Sequence, residues 1–182
     1  LAPTVPQSNG FRAFIRNMSA WVDEHKIVGE FAQPKGSKPV MYCHHPHGQV
    51  AILSCASGSE VDCAGVAAPA IFKMPFCKQM MNLMGSISSA PAPFKEALRS
   101  GRNVAILPGG VEEVVLSSSD VERAYIQNRK GFVKYCVQHG VSICPVYAFG
   151  EKRLYSNLQG AWRLRLRLNG YGVPTVLGVV GI

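Results

Sequence analysis

Apolar residues recur along this chain in two rhythms. From Phe11 to His25, the residues Phe11, Phe14, Ile15, Met18, Trp21 and Val22 fall three or four positions apart, with Arg12, Arg16, Asp23 and Glu24 between them. That is the spacing of one face of an α-helix. The helix admits two readings: it packs against the domain, or it lies in a membrane interface, which Trp21 and the flanking arginines suit. Short apolar runs of the kind that become buried strands occur at Val40–Cys43, Val104–Leu107, Val141–Phe149 and Val173–Val180. Helical spacing returns between them near Phe76–Met84, Pro93–Ser100 and Arg129–His139. Strands alternating with helices predict an α/β layered domain with a largely parallel central sheet flanked by helices, whose ligands gather beyond the carboxyl ends of the strands.

The polar motifs fall at those ends. The run Val40–Cys43 leads into His44-His-Pro-His-Gly48, three histidines in four positions, with Pro46 and Gly48 fixing a tight backbone around them. Metal binding, a purely structural loop and acid–base catalysis all use such a block. No second Cys/His cluster with ligand spacing accompanies it, and His25 and His139 are isolated, so acid–base chemistry is the preferred reading and no metal is expected. The run Val104–Leu107 leads into Pro108-Gly-Gly-Val-Glu-Glu113. Paired glycines there let the backbone approach a ligand or aim amide hydrogens at a developing negative charge. Asn128 is the expected N-cap of a helix opening on Arg129 and Lys130. Two cations at a helix start oppose its dipole, so a bound phosphate or a solvated face would each account for them.

Composition narrows the class. With 47% apolar and 16% charged residues over 182 positions, and no internal repeat, one folded unit is expected. Nineteen Lys and Arg against 11 acidic residues give +8, which favours anionic ligands or lipid head groups. Apart from Arg129-Lys130 and the run Trp162-Arg-Leu-Arg-Leu-Arg-Leu168, the basic residues are scattered, and they form no recognisable nucleic-acid module, so no nucleic-acid partner is expected. Six cysteines occur without a Cys-x-x-Cys pair and read as reduced and mostly buried. No run reaches the ~18 to 20 apolar residues of a membrane span.

Four motifs carry a resemblance. Tyr42-Cys-His-His-Pro-His-Gly48, Leu107-Pro-Gly-Gly-Val-Glu-Glu113, Arg129-Lys-Gly-Phe-Val-Lys134 and Pro145-Val-Tyr-Ala-Phe-Gly-Glu151 stand in the order and approximate spacing of the type-2 diacylglycerol and monoacylglycerol acyltransferase family. The sequence resembles that family over about 40–151, and Val179-Val-Gly181 is similar to the strand that follows. The resemblance implies a glycerolipid-acyltransferase-like α/β domain. It implies an enzyme of the endoplasmic reticulum membrane, its domain facing the cytoplasm, that moves a fatty acyl group from acyl-CoA to the hydroxyl of mono- or diacylglycerol. No metal or prosthetic group is implied, and a homo-oligomer is compatible. Residues 1–182 are expected to be a single fragment of the acyltransferase domain, without the family's preceding membrane hairpin or its C-terminal segment.

Roles carry over residue by residue. The pair His45 and His47 supplies the base, with a slight preference for His47 because Gly48 leaves room for substrate. His44 lies outside the motif and is expected to point back into the fold. The His-x-x-x-x-Asp pattern of the wider glycerolipid acyltransferases is missing its acid, since Val50 and Ile52 occupy the matching positions. Glu113, or its neighbour Glu112, is therefore expected to orient the imidazole. Gly48, Gly109 and Gly110 would adjoin the substrate, and Arg129, Lys130 and Gly131 would hold acyl-CoA phosphates, with Lys134 as a further candidate. A long-chain alcohol is an alternative acceptor, as in wax-ester synthesis. A non-catalytic membrane- or lipid-binding module is the alternative from another class.

Overall fold

The structure, a computed structural model, describes residues 26–29, 38–48, 61–171, 175 and 178–180, without the side chains of 155, 170 and 178–180. The helix expected over 11–25 lies outside the described residues.

The run beginning at Val40 forms β1 (Val40–His45), and it is joined by β2 (Ala64–Ala67), β3 (Ile87–Ser88), β4 (Val104–Ile106) and β5 (Ser142–Tyr147). All strand pairs among these five are parallel, in the order β3-β2-β4-β1-β5. The expected largely parallel sheet is therefore present. β1 sits inside it, with Met41, Tyr42 and Cys43 in register with Val104, Ala105 and Ile106 on one side and with Ile143, Cys144 and Pro145 on the other. A strand paired on both sides and covered on both faces should be apolar throughout, and Val40 to Cys43 are all buried. β5 is different. It is an edge strand, and Ile143 and Tyr147 are 42% and 46% exposed, so the apolar run over 141–149 does not make a buried strand of the β1 kind.

Period 2 sorts the side chains between the faces. Met41 and Cys43 join Val104, Ile106 and Ala64 in the main core, against Phe94, Ala97 and Leu98 of α2 (Pro91–Arg99) and Cys136 of α4 (Gly131–His139). Val40 and Tyr42 turn the other way, to a smaller cluster with Val61, Cys63, Ala105, Cys144 and Val146. α1 (Pro75–Leu83) and α2 both open on a proline, where the missing N–H costs nothing. α4 ends on Gly140 at φ 64°, the left-handed stop that glycine favours.

Two expectations are corrected. Asn128 does not cap α4: the Arg129 N–H bonds the Ile126 carbonyl at 2.8 Å, so Asn128 sits inside a turn, and the helix begins at Gly131 with no side-chain cap. The last strand, β7 (Gly178–Val180), does not join the parallel sheet but pairs antiparallel with β6 (Tyr155–Asn157). The basic run from Trp162 forms α5 (Trp162–Gly170), whose Arg165 is buried and donates to the Thr175 and Leu158 carbonyls and to Asn157 Oδ1.

Candidate active site

β1, β4 and β5 are neighbours and parallel, so their carboxyl ends deliver three motifs to one edge of the sheet. β1 ends in the histidine block. β4 ends in the Gly109–Gly110 turn, which passes directly into α3 (Gly110–Leu116). β5 runs through Tyr147, the register partner of His45, and the Ala148 N–H then donates to the His45 carbonyl at 2.7 Å.

The first turn of α3 carries Glu112 and Glu113, where carboxylates suit the helix dipole. Glu113 is 1% exposed and lies against the histidine block. Its Oε1 meets His45 Nδ1 at 3.3 Å and accepts the His47 N–H at 2.7 Å, while Oε2 accepts the Tyr125 N–H at 2.9 Å. A buried carboxylate is tolerated when its lone pairs are so occupied. Burial pushes the Glu113 carboxyl up, but the bonds from His45 and from the Tyr125 and His47 amides outweigh it and hold the group below its ordinary range. Gly109 lets this happen, since a Cβ there would collide with the Glu113 carboxylate. Gly110 adopts φ 60° and gives its N–H to the Leu107 carbonyl at 3.0 Å. The turn thus commits the Gly110 amide.

The three histidines have separate fates. His44 is 2% exposed and turned into the fold, as expected; burial and then the neighbouring His45 push its imidazole down to about 4. His47 donates its Nδ1–H to the Gly48 carbonyl, 2.6 Å away. Burial lowers its pKa, opposed by that bond and by the Glu113 charge. Only His45 has Glu113 on its ring. Its other nitrogen, Nε2, is enclosed and has no hydrogen-bond partner among the described residues. The carboxylate therefore backs His45 rather than His47.

The basic residues lie close by but are differently engaged. Arg129 forms an ion pair with Glu112 and stacks over the Tyr125 ring, 5.4 Å from its centroid. Lys130 and Gly131 are exposed at the start of α4. Two features were missed in the sequence. The Tyr125 amide acts through its backbone and so leaves no side-chain signature. Glu151 was seen only as the end of a motif, yet it is fully buried against Gly48. Among the described residues no three His, Cys, Asp or Glu side chains are grouped to hold a metal, and no helix is long and apolar enough to cross a membrane.

A carboxylate-backed histidine thus stands at a strand end beside a diglycine turn. The sequence pattern of the diacylglycerol acyltransferase family matches residues 38–179, and the chain belongs to that family. It is 26% identical over 145 residues to diacylglycerol O-acyltransferase 2 of Dictyostelium discoideum, covering 72% of this chain and 43% of that protein. To diacylglycerol O-acyltransferase 2 of Homo sapiens it is 25% identical over 187 residues, covering 86% and 46%. Acyl-CoA wax alcohol acyltransferase 1 of Homo sapiens is 33% identical over 89 residues, covering 48% and 27%. The chain spans a little under half the length of the first two relatives. No solved structure matches it.

Proposed function

We propose that this chain is part of an acyl-CoA-dependent O-acyltransferase that moves a fatty acyl group to the hydroxyl of diacylglycerol or monoacylglycerol, as in triacylglycerol synthesis. The observation that carries the reading is Glu113 against His45 Nδ1, at the carboxyl end of the inner strand of a family member's sheet.

In this reading Glu113 holds the proton on Nδ1 and leaves the Nε2 lone pair of His45 for the acceptor hydroxyl. Nε2 takes that proton as the oxygen attacks the thioester carbonyl. Collapse of the tetrahedral adduct expels the CoA thiolate, which takes the proton back from the imidazolium. His45 is thus assigned as the base in preference to His47. Lys130 and Gly131, with Arg129 when it leaves Glu112, dock the phosphates of acyl-CoA. The chain's own residues supply each step, so no metal or prosthetic group enters.

The family resemblance also supports work at the endoplasmic reticulum membrane from its cytoplasmic side, where a +8 balance favours an anionic leaflet. The test is acyl transfer by the full-length parent in membranes, with labelled acyl-CoA and monoacylglycerol, diacylglycerol or a long-chain alcohol as acceptor. Labelled di- or triacylglycerol is expected. Wax ester alone would move the acceptor assignment to alcohols, and no product with any acceptor would overturn the enzyme reading in favour of a lipid-binding module.

A further inference from the structure

The mechanism uses one buried carboxylate, yet a second one lies against the same turn. Glu151 follows β5 as Glu113 follows β4, and those strands flank β1 on its two sides. Glu151 is 0% exposed. It lies so close to Gly48 that a Cβ at that position would stand 2.6 Å from Oε1, 2.9 Å from Cγ and 3.2 Å from Cδ. The first contact is nearly an ångström inside ordinary van der Waals distance, so the space beside Gly48 is filled by the Glu151 side chain. Gly48 in turn presents its carbonyl to His47 Nδ1 at 2.6 Å. The loop bearing Glu151 is tied to the block a second time, through the Ala148 N–H on the His45 carbonyl.

We propose that Glu151 is a second positioning residue of the active site, fixing the Gly48 peptide and the adjoining His47 main chain, whose N–H holds the Glu113 carboxylate that backs His45. The proposal rests on the acyltransferase reading for its readout, but its cause is steric. Interiors are close-packed, and a side chain abutting a glycine transmits any displacement to the backbone. A misplacement of about 1 Å at a reacting centre costs on the order of 100-fold in rate.

The test is a double-mutant cycle in the full-length parent in membranes, with turnover expressed per mole of enzyme. Gly48→Ala should lower turnover at least about tenfold with the acyl-CoA KM held within about twofold. Glu151→Asp, one methylene shorter, should return about fivefold or more of that loss when combined with it. Glu151→Gln, which keeps the shape, should retain more turnover than Glu151→Ala. Losses that simply multiply in the double variant, or a Gly48→Ala defect confined to KM, would overturn the proposal. Where Glu151→Ala accumulates poorly, the cycle with Glu151→Asp decides. If the coupling appears while His45→Ala keeps full turnover, the base assignment fails and the positioning contact stands.

Discussion

Replacing Glu113 by glutamine keeps the length and nearly the shape of the side chain, so the effect isolates the second carboxylate oxygen and the charge. Both oxygens face donors. Oε1 receives the His47 N–H and meets His45 Nδ1, and Oε2 receives the Tyr125 N–H. An amide has one acceptor oxygen, and whichever way the introduced side chain turns, its NH2 group confronts a backbone N–H. The milder orientation keeps the oxygen on the histidine side and strands the Tyr125 amide. A buried donor without a partner costs about 1 to 3 kcal/mol. With about 2 kcal/mol lost, a domain of this size melts roughly 4 to 8 °C lower. His45 keeps an acceptor at Nδ1 but loses the charge that stabilises its protonated form in the transition state, for which a tenfold to hundredfold fall in turnover is the expected order. Thermal unfolding and turnover per mole, measured on the purified full-length parent and its Glu113→Gln variant, should therefore both fall while the acyl-CoA KM holds. A variant that melts with the parent and turns over at its rate would refute the reasoning.

Two further expectations concern acid stability and the cationic patch. The His44 imidazole, buried and held down to about 4, stays neutral in the folded chain over a range where the unfolded chain binds a proton. Its stability contribution is therefore complete above about pH 6.5 and is lost as pH falls toward 4, by about 3 kcal/mol for that shift. His47, also lowered, adds loss of the same sign as the pH drops, so His44→Gln should flatten but not abolish the slope of melting temperature against pH between 6.5 and 4. An unchanged slope would contradict it. Arg129→Gln with Lys130→Gln should raise the acyl-CoA KM with turnover largely kept, because docking of remote phosphates is made in the ground state too. Glu112→Gln, which releases Arg129 from its ion pair, should lower that KM or leave it; a higher KM would show that Arg129 serves the fold rather than the phosphates.

How far the sequence could be read depended on whether the signal was local. The β1 run and its histidine block are contiguous, so the strand and the motif at its end were both legible, as were helices such as 91–99 that repeat an apolar face over two turns. α3 was not, because seven residues starting at Gly110 are too few to establish a period. β2 and β3 were missed for a related reason: Ala64-Gly-Val-Ala67 and a two-residue strand carry little apolar signal, and only pairing with β4 and with each other defines them. The alternation Trp162-Arg-Leu-Arg-Leu-Arg-Leu168 hides a helix. Its buried Arg165 is satisfied by the remote Thr175 carbonyl and by Asn157. Within the site, Glu113 could be named from its motif, but the choice between His45 and His47 could not, since it turns on the carboxylate reaching the ring of His45 but only the main-chain N–H of His47, 68 and 66 positions away. The corrected cap at Asn128 has the same origin, a turn closed by Ile126 ahead of the helix.

The central claim is that His45, backed by Glu113, is the base, and the most direct test compares His45→Ala with His47→Ala. Both imidazoles sit at a strand end outside the two apolar clusters, so both variants of the full-length parent should accumulate in membranes. Turnover per mole should fall by about 100-fold or more for His45→Ala, the scale of a lost general base. His47→Ala should lose less, since its ring bonds the Gly48 carbonyl and its contact with Glu113 is made by the main chain. Collapse of activity in His47→Ala with His45→Ala near the parent rate would contradict the account.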